Sequence, residues 1–293
     1  MPDRWTVDKS AVRRSFDRAA VSYDAAAVLQ AEIASRMLER LSYIRLDPSV
    51  ILDAGCGTGH VWDGLKQRFP DAALVGLDIA EGMIRLALSR TPRWKALLSR
   101  GRTPSGLCAD LEALPVAGES VDLVWSNVAL QWVNDLPRVI ADVWRILRPG
   151  GLFMFSTFGP DTLKELRSAY EGVDGATHVS RFTDMHDIGD MLVTARFADP
   201  VMDMEPFTLL YDDLPLLMRE LKAIGAHNAT EGRSRGLSGP RRFERLKAQY
   251  ESFRQNGKLP ATFEVVYGHA WKPLPRLGPD GKKVIEIKAV GFR

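Results

Sequence analysis

Val50-Ile51-Leu52-Asp53-Ala54-Gly55-Cys56-Gly57-Thr58-Gly59 is the stretch on which the reading of this chain turns. Three apolar residues lead into an acid, glycines alternate with small residues, and an amphipathic run opens at His60, with Val61, Trp62, Leu65 and Phe69 at helical spacing. That order predicts a buried parallel strand, a tight turn and a helix that packs back on the sheet. Glycine is needed because so tight a turn visits backbone angles closed to other residues, and because a side chain would hold a ligand off the main chain. N–H groups left free at the helix start would face that ligand with partial positive charge and suit a carboxylate or phosphate. A dinucleotide fingerprint wants a third Gly or Ala three residues after the second, where this chain has His60.

Outward from this stretch, composition sets the bounds. A chain of 293 residues with 45% hydrophobic content can build one substantial core. There is no long apolar segment, and the start, MPDRWTVDKSAVRR, lacks the hydrophobic region of a secretory signal. A cytoplasmic protein without a membrane span is therefore expected. Cys56 and Cys108 make no disulfide framework, and the five histidines lack the paired spacing of a zinc helix, so no metal is expected. No nucleic-acid partner is expected either. The net charge of +2 hides an uneven distribution: five cations and no acid from Arg90 to Arg102, eight cations against three acids from Glu231 to Lys258, and eight acids against Arg196 from Asp184 to Asp213. Such asymmetry marks either a docking face for an acidic partner or solvated helix faces.

Before the glycine turn, Phe16 to Asp24 leads into a helical run with Val28, Leu29, Ile33, Met37, Leu38 and Leu41 on one face. This lead-in is expected to lie across the mouth of the site, with Tyr23 and Gln30 as polar members touching cofactor or substrate. After the turn, Ala73 to Asp78 reads as a second strand, Gly106 to Asp110 as a third, Val121 to Asn127 as a fourth and Gly151 to Thr157 as a fifth, giving four β-α pairs and a fifth strand. Asp78 lies 25 positions after Asp53, near the separation at which an acid meets ribose hydroxyls, and its carboxylate accepts two hydrogen bonds. Ligands sit outside the carboxyl ends of such strands, which brings Ser126, Asn127, Gln131 and Trp132 to the reaction centre. Beyond, helices over 161–170, 183–192, 213–224 and around Phe243 to Phe253 alternate with extended runs at 201–211 and 261–269. The expected fold class is α/β: a doubly wound, mostly parallel seven-stranded sheet with an N-terminal helical segment and a helical lid. One domain is expected over residues 1–271, made of the helical segment 1–46, a cofactor core 47–157 and the lid and last strands 158–260, with a tail at 272–293.

The pattern GxGxG preceded by Asp53 resembles the first motif of the Rossmann-like S-adenosylmethionine-dependent methyltransferases. RSFDRAAVSYD, LDAGCGTG, LDIAEGMI, SNVALQW, RPGGLFMFSTFGPDTLKEL, LKAIGAHN and VVYGHAWKP together resemble the malonyl-[acyl-carrier protein] O-methyltransferases of biotin synthesis, over about Ser15 to Trp271. The resemblance implies S-adenosylmethionine as methyl donor and the free carboxyl of a malonyl thioester, on acyl-carrier protein or coenzyme A (malonyl-CoA), as acceptor. The methyl ester so formed would prime pimeloyl synthesis. It also implies that Asp110 accepts from the adenine amino group; with Gln30, Asp53, Gly55, Gly57, Gly59, Asp78, Ile79, Met83, Leu111 and Asn127 it makes the expected cofactor set. Arg181, Lys222, Tyr23 and Ser126 are the expected holders of the substrate carboxylate, the two cations lying nearest family-specific motifs. The basic segments 90–102 and 233–247 gain a candidate purpose in docking the acidic carrier protein. No Ser-His-Asp or Cys-His arrangement and no catalytic base stands out, and a carboxylate nucleophile, deprotonated at neutral pH, needs none. Two alternatives stand beside this reading: a factor that binds or modifies a protein partner, like mitochondrial relatives in respiratory complex I assembly, and a methyltransferase for another small carboxylic acid.

Overall fold

A computed structural model describes residues 3–90, 103–226, 228–233 and 239–275. Five strands, β1 (Val50–Ala54), β2 (Ala73–Asp78), β3 (Ser105–Cys108), β4 (Val121–Asn127) and β5 (Leu147–Phe158), pair in parallel. Two more, β6 (Ala198–Tyr211) and β7 (Leu259–Trp271), close a seven-stranded sheet in the order β3-β2-β1-β4-β5-β7-β6, with β7 antiparallel to both neighbours. The chain reverses its progress across the sheet between β1 and β4. A crevice opens there, outside the carboxyl ends of both strands.

The helices α3 (Trp62–Arg68), α4 (Glu81–Ser89) and α5 (Leu136–Ile146) belong to the parallel half. Asp135 starts α5 by accepting from the Arg138 amide at 3.0 Å, with Pro137 at a position that needs no N–H. Its Val139, Ile140, Val143 and Ile146 are buried on one face of the sheet, while Leu65 of α3 and Ile33, Met37 and Leu41 of the N-terminal region pack on the other. That N-terminal region is α1 (Lys9–Ala26) and α2 (Val28–Ser42), broken at Ala27. The second half of the chain adds α6 (Lys164–Glu171), α7 (Met185–Thr194), α8 (Leu214–Ala223) and α9 (Pro240–Glu251); Ile188 and Leu192 of α7 pack with α5 on the sheet face, so this helix is no part of a lid. Pro206 sits in β6, the edge strand, where a missing donor costs least.

Several sequence expectations are corrected. Among the described residues the link from β3 to β4 holds only a 3-10 turn at Leu111–Ala113, so four β-α pairs overstated the regularity. The third strand ends at Cys108; Asp110 leaves it to cap that turn, accepting from the Glu112 amide at 3.0 Å. Val28 is 71% exposed, because α2 begins there and its first turn overhangs a cavity rather than the core. Of the basic spacer only Arg90 lies in the described residues, and of the tail at 272–293 only residues 272–275 do.

Candidate active site

The glycine turn takes positive φ at Gly55, Gly57 and Gly59, at 83°, 52° and 72°. The expectation of a fan of free N–H groups is corrected. Gly55 and Cys56 both donate to the Leu77 carbonyl, at 2.7 and 2.9 Å, and Gly57 donates to Asp78 Oδ2 at 3.0 Å. The turn is thus pinned to the end of β2. A Cβ on Gly55 would sit 2.3 Å from the Ala129 Cβ, and one on Gly59 would meet Trp62 at 2.9 Å. One on Gly57 would meet nothing nearer than the Tyr23 ring at 3.9 Å. Gly57 is therefore the position where the backbone faces open space; Gly59 packs behind the turn and lines no part of the groove.

Two small pockets, of about 70 and 60 Å³, share Gly55, Gly57, Tyr23 and Asn127 and form a groove over the turn. The first holds Asp78, Ile79, Met83, Asp110 and Leu111; the second holds Asp53 and Gln30. Asp78 also accepts from the Ala80 amide at 2.8 Å, so it sits at the start of α4 as well as in the groove. Burial pushes its pKa up to about 6, against the pull of the Ala80 and Gly57 amides. Burial likewise pushes Asp53 up to about 7, opposed by a 2.8 Å hydrogen bond from the Trp62 indole and reinforced by the charge of Asp78. Asn127 ties β4 to α2, donating to the Gln30 carbonyl at 3.0 Å and accepting from Ser156 at 2.8 Å.

A much larger cavity, about 630 Å³, adjoins this groove. Tyr23 lines the cavity and both small pockets, and Phe16 and Trp132 line the cavity and the first. Phe16 packs edge-on to Trp132 with ring centroids 5.4 Å apart, so α1 and the β4 end meet over the groove. Burial, with Asp78 and Asp24 adding, holds the Tyr23 hydroxyl protonated well above its usual range. Lys222 lines the cavity beside Arg219, on α8.

Two expected substrate contacts do not reach it. Ser126 is fully buried and donates to the Ala54 carbonyl at 2.8 Å, a strand-to-strand tie that lines none of these pockets. Arg181 is exposed and lies over the Trp5 ring at 4.7 Å, while its neighbours Ser180 and Phe182 face the cavity. Sequence reasoning missed Lys9, which pairs with Asp110 at 2.9 Å and Glu112 at 2.5 Å, because nothing local marks a contact across 101 positions. It also missed a His-Asp pair on the cavity wall, His178 with Asp174, at 2.8 Å. The spacing of four between them was the available signal. No group of metal-binding side chains is found among the described residues.

A methyltransferase-domain family model matches residues 52–155, the span from the glycine turn to β5. A malonyl-[acyl-carrier protein] O-methyltransferase from Gallionella capsiferriformans is 55% identical over 286 residues, covering 97% of this chain and 98% of that one. The chain belongs to the malonyl-[acyl-carrier protein] O-methyltransferase family. A second malonyl-[acyl-carrier protein] O-methyltransferase, from a Methylovorus species, is 53% identical over 98% of this chain and 97% of its own. The fold is also that of the YcgJ protein from Bacillus subtilis, at TM-score 0.57 and 15% identity, with 83% of this chain and 98% of that one covered. Full-length identity of this order places the family's Rossmann-like sheet, and its use of S-adenosylmethionine, in this chain. The groove suits such a donor: a carboxylate at one side, apolar Ile79, Met83 and Leu111 nearby, and a backbone left bare at Gly57.

Proposed function

We propose that this chain acts in the cytoplasm and transfers the methyl group of S-adenosylmethionine to the free carboxyl of a malonyl thioester carried by acyl-carrier protein or coenzyme A. The observation that carries this reading is 55% identity over almost the whole of both chains to a relative of that name. S-adenosylmethionine supplies a methyl carbon activated by a positive sulfur. In this reading Asp78 takes the ribose hydroxyls, Asp110 the adenine amino group through the oxygen that Lys9 leaves available, and Ile79, Met83 and Leu111 the faces of the base. Asp53 and the bare backbone at Gly57 face the charged amino-acid end. Tyr23 and Phe16 close the groove and keep water from the path of attack.

The acceptor arrives through the larger cavity, with its carboxylate held by Lys222 or its neighbour Arg219. One carboxylate oxygen forms the new C–O bond as the sulfur–methyl bond breaks, and the pair of electrons stays on sulfur. No proton moves, so the site's tasks are alignment and exclusion of water. A binding-only assembly factor is not favoured, since the relatives at 53–55% identity carry the enzyme's name. Incubation with methyl-labelled donor and malonyl-carrier protein, followed by mass spectrometry, should show one added methyl lost on mild ester hydrolysis. No added methyl on the carrier-bound acid, with transfer to a free acid instead, would replace the proposal with another carboxyl methyltransferase.

A further inference from the structure

The cavity is too large for the group it is proposed to esterify. At about 630 Å³ it falls in the range, roughly 300–1,000 Å³, that buries a drug-sized ligand, whereas a malonyl unit has three carbons. The wall away from the groove carries an organised polar cluster that the transfer does not use. Tyr170, at the end of α6, stacks on His178 with ring centroids 3.5 Å apart and planes 5° from parallel, which fixes the imidazole's orientation. Asp174 Oδ1 lies 2.8 Å from His178 Nε2 and accepts from the Ala176 amide at 2.8 Å; Arg242 of α9 pairs with Asp174 Oδ2 and comes within 3.1 Å of the same ring nitrogen. Desolvation raises the Asp174 pKa, but its hydrogen bonds with His178 and the Ala176 amide and the charge of Arg242 outweigh it, so the acid stays ionised below its usual range.

Nε2 has two neighbours that cannot both hydrogen-bond to it, since Asp174 only accepts and Arg242 only donates. Asp174 Oδ1 is nearer, at 2.8 Å against 3.1 Å, and Arg242 already has Asp174 Oδ2 as its partner, so in the neutral ring Nε2 carries its hydrogen toward Asp174 and Nδ1 offers a lone pair. Nδ1 has no partner among the described residues, and His178 lines the cavity. The malonyl end of the substrate is made of acceptors alone, a thioester carbonyl and a carboxylate. A lone pair cannot bind either. Carrier protein and coenzyme A both attach acyl groups through a pantetheine arm, whose amide N–H groups and hydroxyl are the donors within reach of such a wall.

On the functional reading above, we infer that His178 accepts an amide N–H of the pantetheine arm and thereby selects tethered malonyl over free acids, with Tyr170 and Asp174 as positioning residues. The chain therefore reads the tether, which the carrier protein and coenzyme A share, as well as the acid.

The test compares three acceptors: malonyl-pantetheine, malonyl-N-acetylcysteamine with one amide, and malonyl ethyl thioester with none. For the wild type, kcat/KM should fall about five- to tenfold when the last amide is removed, the size of one lost hydrogen bond. His178→Phe keeps the stack on Tyr170 but removes the acceptor; it should lose that factor on the amide-bearing thioesters and equal the wild type on the ethyl thioester. His178→Gln, with an acceptor oxygen, should recover part of the loss. Melting temperature and cofactor affinity should stay at wild-type values in His178→Gln. Equal losses on all three acceptors, or a wild type indifferent to the amides, would overturn the role of His178. A wild type that esterifies none of the three sinks the functional reading itself, which is a distinct result.

Discussion

Gly55 and Gly57 stand two positions apart in one turn and answer to different demands. At Gly55 an added Cβ would lie 2.3 Å from Ala129 in backbone of positive φ, so Gly55→Ala should fail to accumulate as folded protein. At Gly57 the added atom meets only the Tyr23 ring at 3.9 Å, so Gly57→Ala should fold at a cost of about 1–2 kcal/mol for its left-handed backbone while cofactor affinity drops well over tenfold. Thermal melts and calorimetry on both variants separate the two effects; equal affinity in Gly57→Ala and wild type would move the ligand away from that backbone. The acids behave as a second pair. Asp53 is pushed up to about 7 in the fold from a value near 4 when unfolded, so between these pH values the folded chain binds the extra proton and stability falls as pH rises. Asp53→Asn should flatten the difference between urea midpoints at pH 5 and pH 8. A donor with positive sulfur and ammonium favours ionised carboxylates, so its affinity should climb from pH 5 to 8 as Asp78 and Asp53 lose their protons; an affinity that falls over this window would remove both from the site.

The element that closes the groove, α1, is held more by polar ties than by burial. Only Val12, Ser15, Ala19 and Ala20 are buried along its 18 residues. Against that stand the pairing of Lys9 with Asp110 and Glu112, the 2.8 Å bond from the Gly82 amide to Asp17, and the clasp of Asp24 with Thr58 and Arg90. Arg90, read in the sequence as part of a docking face, is thus a clasp on the turn. Partly exposed pairs of this kind are each worth little and weaken with salt. Amides of α1 should therefore exchange with solvent faster than those of β4, faster still at high salt, and slow on adding cofactor. Exchange that matches β4 in every condition would show α1 to be a fixed wall. The sequence disclosed a helical lead-in across the site's mouth, but the periodic residues that marked it, Val28 to Leu41, belong to α2, and α1 was seen only as the run Phe16 to Asp24 that precedes them. The sequence could not disclose Lys9 on Asp110, because contacts set by tertiary packing leave no periodic trace.

At the scale of the molecule, what was legible was what repeats or turns tightly. β2 and β4 were bounded as observed, and β1 located, because parallel strands read as apolar runs, and the glycine turn was found because few residues tolerate its angles. The substrate side was less legible: Arg181 and Lys222 were chosen as cations near distinctive motifs, yet only Lys222 faces the cavity, since proximity in sequence does not fix which way an exposed side chain points. Ser126 was misplaced by one step of alternation, which turns every second residue of a strand away from the crevice mouth. Tyr23 and Phe16, shared between groove and cavity, carry one last implication for turnover. The same two rings line the donor groove and the acceptor's chamber, so a donor that enters from the chamber side must be seated before the acceptor and can leave only after it. Addition is then compulsorily ordered, nucleoside first and last to leave, and the demethylated product should inhibit competitively against the donor and noncompetitively against the thioester.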